Sequence, residues 1–114
     1  MKTEKNIIVI VTKWTEEANC NFSEGTNIEC ACNTMEESVE IIKEKKQDIT
    51  AQISLVDCES LGIEFKQELL TFNEECYDKK VYPSIEADYL DEEAGVRFTY
   101  RTEAVPTDLK TKKK

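Results

Sequence analysis

The cysteines are the residues of this sequence with the most chemical potential. Two of the five cysteines, Cys30 and Cys32, are separated by one alanine and precede a segment with helical periodicity. Unpaired N–H groups and the positive end of the dipole favour a thiolate at a helix N-terminus. The pair can therefore act as a dithiol, with Cys32 as the attacking thiolate and Cys30 as the resolving thiol. The tight Cys-x-Cys ring predicts a strained, oxidising disulfide.

A metal or iron–sulfur site is a second interpretation of the cysteines. Tetrahedral zinc and clusters use four ligands of this kind, and we expect four cysteines at one edge of the predicted sheet: Cys20, Cys30, Cys32 and Cys58. Their spacing, Cys-x9-Cys-x-Cys-x25-Cys, matches no standard metal motif. A third interpretation is a non-catalytic binding or regulatory domain in which the thiols carry no chemistry. Cys76 falls in an apolar stripe and is interpreted as buried and unreactive.

Composition excludes several classes of function. Histidine is absent, so an ordinary Ser-His-Asp or Cys-His hydrolase is excluded. The net charge of −9 argues against nucleic acid as a partner. The longest apolar run, Ile7–Val11, is too short to span a membrane, and the N-terminus lacks a small-residue cleavage site. We expect a cytoplasmic protein without a cofactor.

Length and the lack of repeats predict one domain over residues 1–114, with a core at 6–102 and a tail at 103–114. The run Ile7–Val11 predicts a buried strand, and the polar residues 15–32 predict a long loop. Asn33 as N-cap, with Glu36 completing a capping box, predicts a helix that ends near Gln47.

The rest of the chain predicts a second strand over 48–58 and a second helix within 59–80. The helix would carry one apolar stripe, formed by Leu61, Phe65, Leu69, Phe72 and Cys76. Two strands over 81–90 and 95–101 then form a hairpin. The order is β-α-β-α-β-β, an α/β fold whose first two strands are parallel.

Aromatic residues are interpreted mainly as structural. Trp14, at the end of the first predicted strand, is taken as a core or rim residue. Four aromatic residues alternate along the predicted hairpin: Tyr82, Tyr89, Phe98 and Tyr100. If the hairpin provided an exposed edge strand, it could mediate a homodimer.

The element order, the cysteine pair and the tripeptide Val81-Tyr82-Pro83 resemble the thioredoxin-like superfamily over residues 6–102, and within it small bacterial YuzD-type domains. The resemblance implies a two- or three-layer sandwich with a mixed four-stranded sheet and a reduced C-terminal helix. It also implies a cis Pro83 near Cys30 and Cys32, and a thiol–disulfide oxidoreductase with a protein thiol or disulfide partner. The sequence departs from the family in having Cys-x-Cys for Cys-x-x-Cys, after an 18-residue loop.

Overall fold

The β-branched run Ile7–Val11 forms a strand, as its composition predicts. The computed structural model, which describes residues 6–75 and 82–108, extends this strand well beyond the run. In chain order the strands are β1 (Asn6–Ala18), β2 (Asn21–Cys32), β3 (Leu70–Glu75), β4 (Ser84–Asp91) and β5 (Val96–Asp108). They form one five-stranded sheet in the order β2-β1-β5-β4-β3, and all four neighbouring pairs are antiparallel.

One long helical segment covers one face of the sheet. It comprises α1 (Met35–Ala51), a π-helix (Gln52–Asp57) and a final short turn, α2 (Cys58–Ser60). A 3-10 turn (Gln67–Leu69) precedes β3. The buried apolar residues of the segment are Ile42, Ile49, Ile53 and Cys58. No helix within the described ranges is long and apolar enough to cross a membrane.

The thioredoxin-like β-α-β-α-β-β layout with a mixed four-stranded sheet is wrong, because the chain turns back directly after β1. Asn19 and Cys20 form a two-residue turn in which both residues have positive φ, 52° and 71°. This pattern is characteristic of a type I′ hairpin turn, which joins antiparallel strands. The turn therefore replaces the predicted helical crossover. Because Cys stands where Gly usually follows Asn, the turn gives only a weak sequence signal.

The predicted loop over residues 15–32 is also wrong, since most of it is strand. Ten of the twelve residues of β2 are exposed, and the two others are half-buried. A strand with no buried face lacks the alternation of apolar and polar residues that identifies strands in a sequence. The helix then starts one residue later than predicted: Thr34 is the N-cap, its Oγ1 accepts from the Glu37 N–H at 3.1 Å, and Glu37 Oε1 accepts from the Asn33 N–H at 2.9 Å.

The predicted strand over 48–58 is helical, and the predicted helix within 59–80 instead contains strand β3. Residues 48–58 continue the helical segment, because Ile49, Ile53 and Cys58 all pack against the sheet. The helix cannot pass Gly62, whose φ is +70°, and the chain then enters β3. In β3 the buried Leu70 and half-buried Phe72 alternate with exposed residues, which is a strand spacing, whereas the predicted helical stripe relied on Leu69 and Phe72, three residues apart. Cys76 lies outside the described residues.

The C-terminal hairpin is confirmed. β4 and β5 pair from Asp91↔Val96 to Ser84↔Glu103. The turn between them closes with a hydrogen bond from Gly95 N to Asp91 O at 2.9 Å, and Gly95 has a φ of +72°. β5 runs on to Asp108, so residues 103–108, predicted as tail, pair with β1.

The two faces of the sheet differ in character. On the helix side, Ile10, Ile85, Tyr89 and Phe98 are almost fully buried. The opposite face, which we call the open face, has no helix on it within the described ranges. It carries ion pairs such as Lys13–Glu103 at 3.4 Å and Arg97–Asp88 at 3.0 Å. The hydrophobic core is therefore one layer between the helical segment and the sheet.

Candidate functional site

A polar cavity of about 380 Å³ lies between the helical segment and the sheet. Residues of β1, β2 and β5 line one wall, and residues of α1 and the π-helix line the other. Small-molecule sites in proteins commonly have volumes of roughly 300–1,000 Å³. We call this space the helix–sheet cavity. Two aromatic residues and four carboxylates are prominent in its lining: Trp14, Tyr100, Glu16, Glu29, Asp48 and Asp57.

The π-helix places two polar side chains of the cavity next to each other. Gln52 and Asp57 are five residues apart, and in a regular α-helix this spacing separates two side chains by about 140°. In a π-helix, hydrogen bonds join residues i and i+5, so the same spacing brings them to one face. Gln52 Nε2 accordingly donates to Asp57 Oδ1 at 3.2 Å.

Asp57 is held by neutral donors. Tyr100 Oη, on β5, donates to Oδ2, and Gln52 donates to the other oxygen. No lysine or arginine within the described part of the chain forms an ion pair with Asp57. Burial, followed by the hydrogen bond to Asp57 and its negative charge, raises the pKa of Tyr100 far above its ordinary value. Tyr100 therefore remains a donor at neutral pH, and neither of the two groups that donate to Asp57 carries a positive charge.

Lys45 and Glu29 form an ion pair across the cavity. Lys45 Nζ lies 2.9 Å from Glu29 Oε1, and 3.9 Å from an oxygen of Asp48. Partial burial alone would raise the pKa of Glu29, but hydrogen bonds from Lys45 and Thr12 outweigh it and lower the pKa. Glu29 is the residue added at the bulge of β2, between the partners of Ile10 and Val11. The bulge thus supplies the carboxylate that binds Lys45, the one lysine that lines the cavity among residues 6–75 and 82–108.

Trp14 forms an aromatic wall because its partner on β2 is a glycine. Trp14 and Gly25 are opposite each other in the β1–β2 pair. A Cβ atom at position 25 would lie 2.5 Å from Cζ2 of the indole, far inside van der Waals contact. The indole therefore lies over the bare backbone of Gly25, and it remains half-buried at the cavity.

The cavity has an excess of negative charge. Four carboxylates and one ammonium group line it, and the ammonium of Lys45 is committed to Glu29. Glu16 has no hydrogen-bond or ion-pair partner among residues 6–75 and 82–108. Carboxylates that converge in a cleft raise the local concentration of cations. The cavity therefore suits a positively charged ligand.

Cys30 and Cys32 lie on the helix side of β2, opposite Ile10 and Ile8 of β1. They are next-but-one neighbours in an extended strand, so their Cα atoms and Cβ atoms are each about 6.6 Å apart. A disulfide needs Cβ atoms about 3.8 Å apart, so the pair can close only if the strand bends. Neither residue is in the helix: Cys32 ends β2, two residues before the Thr34 N-cap.

The surroundings of Cys32 disfavour its thiolate. Partial burial raises the pKa of the thiol, and the negative charge of Glu37 raises it further. The thiol also donates to the carbonyl oxygen of Thr34 at 3.8 Å, a weak contact that favours the neutral form, and the hydrogen bond with the Thr34 backbone that lowers the pKa does not reverse the shift. The acidic first turn of α1 therefore opposes the helix dipole here.

The four cysteines of the metal alternative do not converge. Cys20 is in the β1–β2 turn and Cys30 is ten residues further along β2, about 30 Å away in an extended strand. Cys58 is 1% exposed, beneath the helical segment, where burial raises the pKa of its thiol despite a hydrogen bond with Tyr89. No group of three or more potential metal ligands occurs in the described ranges.

Pro83 is buried immediately before β4, and its peptide bond is trans, since no cis peptide occurs among the described residues. Its carbonyl oxygen accepts from the N–H of Ala104, which pairs with Ile10, and Ile10 pairs with Cys30. Two strands therefore separate Pro83 from Cys30, a distance of about 14 Å. The predicted cis bond and the predicted contact with the cysteines are both wrong, because Pro83 precedes an antiparallel strand.

The residues of the cavity were not among the sequence-predicted site residues. Thr12, Trp14 and Glu16 alternate along β1 and would share a face only if the first strand were predicted to continue past Val11. The sequence pattern predicts a strand at Asp57, and the π-helix that brings Asp57 to Gln52 has no sequence signal that we recognise. Extending the alternation of β1 past Val11 would place Trp14 on the same side of the sheet as Thr12 and Glu16.

No protein family model, curated protein or solved structure matches this chain at a significant level. These comparisons therefore do not bear on the thioredoxin-like resemblance. The layout that the resemblance implies is contradicted by the antiparallel sheet.

Proposed function

We propose that this protein is a binding domain whose helix–sheet cavity takes a small organic cation with a flat or apolar body. The observation that carries the proposal is the carboxylate of Asp57, fixed by two neutral donors inside a cavity in which, among the described residues, the one lining lysine is paired with Glu29 and no arginine is present. This alternative, a non-catalytic binding domain, was open from the sequence.

The fixed position of Asp57 favours recognition over simple charge attraction. Gln52 and Tyr100 hold the two oxygens of the carboxylate in place, so a ligand does not have to order it on binding. Pre-organisation of this kind reduces the entropic cost of association. An ammonium, amidinium or guanidinium group would balance the negative charge and donate charge-assisted hydrogen bonds to the carboxylate.

Trp14 supplies the second part of the recognition. A cation within about 6 Å of an indole face gains cation–π attraction, and the apolar body of a ligand gains contact area on the same ring. Glu16 follows Trp14 on the same side of β1 and adds a second carboxylate without a partner in the described residues. Together, Glu16 offers a carboxylate to the charged end of a ligand, and Trp14 offers a flat surface to its apolar body.

The proposal is tested by titrating the protein with three probes of the same shape: benzamidine, which is cationic, benzamide, which is neutral, and benzoate, which is anionic. Trp14 is the only tryptophan, so its fluorescence reports binding at the cavity directly. We expect saturable binding of benzamidine alone. Equal responses to all three probes, or no response to benzamidine, would overturn the proposal.

A pair of charge-neutralising variants separates the cavity from the overall charge of −9. Asp57→Asn keeps the shape of the side chain and should weaken benzamidine binding by about 10- to 100-fold, the usual range for a lost charge-assisted hydrogen bond. Glu92→Gln removes the same charge from the exposed β4–β5 turn and should leave binding unchanged. If both variants weaken binding equally, the cavity is not the site.

Thiol–disulfide exchange through Cys30 and Cys32 stays a prediction. The strand spacing of the two residues and the raised pKa of Cys32 give it less support than the cavity gives to cation binding. Alkylation with iodoacetamide at neutral pH checks it. If Cys32 belongs to a redox dithiol, it should be alkylated faster than the exposed Cys20. If Cys32 is an ordinary thiol, it should be alkylated more slowly than Cys20.

A further inference from the structure

β2 is an outer strand of the sheet, and its second edge pairs with no strand in the described part of the chain. It is twelve residues long and pairs only with β1 among the described strands. Natural edge strands are usually blocked by lysines, prolines or short length, because free N–H and C=O groups recruit other strands. β2 contains no lysine, arginine or proline. Its length and composition therefore favour pairing with another strand.

The exposed apolar residues of β2 are symmetric about one position. Phe22 is 57% exposed and Ile28 is 75% exposed, and each lies three residues from Gly25. Both are on the open face, since their β1 partners are Glu17 and Val11, which alternate with the buried helix-side residues. Two large apolar side chains at equal distances from a central residue are the pattern required for an antiparallel two-fold pair.

We propose that two copies of the chain pair through antiparallel β2 strands centred on Gly25, forming a continuous ten-stranded sheet. In this register Phe22 lies opposite Ile28 of the second copy, and the same contact occurs twice. Aromatic and β-branched residues opposite each other are a stabilising cross-strand pair. Glu24 lies opposite Thr26 of the second copy, so no like charges face each other.

Neighbouring registers lack this complementarity. An axis on Glu24 places two carboxylates opposite each other, which is unfavourable. An axis on Thr26 places Phe22 opposite Cys30 of the second copy, but the bulge of β2 has turned Cys30 to the helix side. An axis between two residues puts side chains of opposite faces together, because side chains alternate along a strand. The register centred on Gly25 therefore follows from the sequence of β2 and from its bulge.

The proposed pairing also affects Trp14. Its indole lies over Gly25 on the helix side, and Gly25 would lie opposite Gly25 of the second copy. Neither glycine has a side chain that separates the two indoles. Dimer formation should therefore change the emission of Trp14 with protein concentration, in the absence of any ligand.

Sedimentation velocity over a range of protein concentrations tests the inference. We expect the average mass to approach twice the chain mass of 13.1 kDa. Ile28→Lys places a charge on the free edge and should raise the dissociation constant of the dimer about tenfold or more. The control, Leu90→Lys, alters an exposed residue of β4 on the open face and should leave the mass unchanged. A monomer at all concentrations, or a dimer that Ile28→Lys does not weaken, would overturn the inference.

A cysteine pair tests the register itself. In an antiparallel pair, opposed Cα atoms are about 4.5 or 5.5 Å apart, and both distances allow a disulfide. Oxidation of Phe22→Cys/Ile28→Cys with diamide should give a covalent dimer in which peptide mapping finds residue 22 joined to residue 28. The matched variant Phe22→Cys/Glu24→Cys opposes no engineered cysteines and should give no such link between its new thiols. Because the exposed native Cys20 and Cys30 can cross-link both variants, only the mapped link between engineered residues is compared, and an equal yield of that link in the two variants would contradict the register.

Discussion

The C-terminal hairpin and β2 occupy different parts of the same sheet and are stabilised in different ways. In β4 the side chains of Ile85, Ala87 and Tyr89 are buried, and Phe98 of β5 packs against Tyr89 with ring centroids 6.0 Å apart. β2 has no buried residue and is held mainly by its backbone pairing with β1. The hairpin therefore contributes to the hydrophobic core, whereas β2 lies largely at the surface.

This difference separates stability from function. Between the hairpin and the helical segment, apolar residues such as Ile85, Tyr89 and Phe98 fill the space. Around β1 and β2, polar residues and a glycine replace the core residues, and the space that they leave is the helix–sheet cavity. The regions of a protein that bind ligands and partners are commonly drawn from its less stable parts.

The largest effect is expected for a core residue of the hairpin. Phe98 is 1% exposed, and Phe98→Ala should lower the free energy of unfolding by about 3–5 kcal/mol, the range for large cavities in cores. Phe22→Ala on β2 is the matched control and should change it by about 0.5 kcal/mol or less. Urea denaturation of both variants, at concentrations where the wild-type chain is monomeric, checks the contrast. Similar losses would contradict the division into core and surface.

A substitution at Gly25 should give the next largest effect. Replacing a strand glycine by alanine usually stabilises a protein. Here the added Cβ would lie 2.5 Å from the Trp14 indole, so Gly25→Ala should instead lower the free energy of unfolding by about 1–3 kcal/mol. A red shift of Trp14 emission should accompany the loss, because the displaced indole becomes more exposed. A stabilised variant with unchanged emission would show that the indole does not lie over Gly25.

Removal of the Tyr100 hydroxyl should have a smaller effect with a distinct pH dependence. Tyr100→Phe removes a hydrogen bond to Asp57, worth about 0.5–1.5 kcal/mol. Burial and Asp57 raise the pKa of Tyr100 in the folded state, so above about pH 10 the unfolded chain loses this proton first and the folded state loses stability.

The alkaline loss of stability should therefore be shallower in Tyr100→Phe than in the wild type. Thermal unfolding between pH 9 and 11 measures it, on the scale of about 1 kcal/mol set by one titrating group. Tyr82→Phe changes an exposed tyrosine and should keep the wild-type slope. Parallel curves for all three proteins would argue against the Tyr100–Asp57 contact.

The smallest expected effect is a gain. Cys20 has a φ of 71° in the β1–β2 turn, a conformation in which glycine is not strained. Cys20→Gly should raise the free energy of unfolding by about 0.5–1 kcal/mol. Cys20→Ser retains a Cβ and should give no gain. Loss of stability in Cys20→Gly would contradict the turn, and a metal bound by Cys20 would produce that loss.

The sequence predicted those elements whose residues alternate between a buried and an exposed side. The hairpin and its turn at Asp91–Gly95 are confirmed for this reason, whereas the strand at Ile7–Val11 is predicted by its continuous β-branched composition and is confirmed as a strand. β2 could not be identified because its residues are exposed on both faces, and the Asn19-Cys20 turn lacks the glycine that marks such hairpins.

The site depended on elements that the sequence did not reveal. Asp57 reaches Gln52 only through the π-helix, and Trp14 has space only because Gly25 is opposite it in β2, a strand that the sequence pattern predicts as a loop. Cysteines suggest chemistry by their residue type alone, whereas the residue types in the cavity are common in any protein. The cavity residues form a site only because the sheet register and the π-helix bring them together.

The most direct test of cation binding is a benzamidine titration followed by 15N-1H NMR. The indole N–H of Trp14 and the side-chain amide of Gln52 should shift with one common dissociation constant, as should backbone amides around Asp57, while those of the β4–β5 turn at Glu92 and Glu93 stay fixed. Asp57→Asn should abolish or strongly weaken these shifts. Absence of shifts in the cavity, or shifts confined to the open face, would contradict the account.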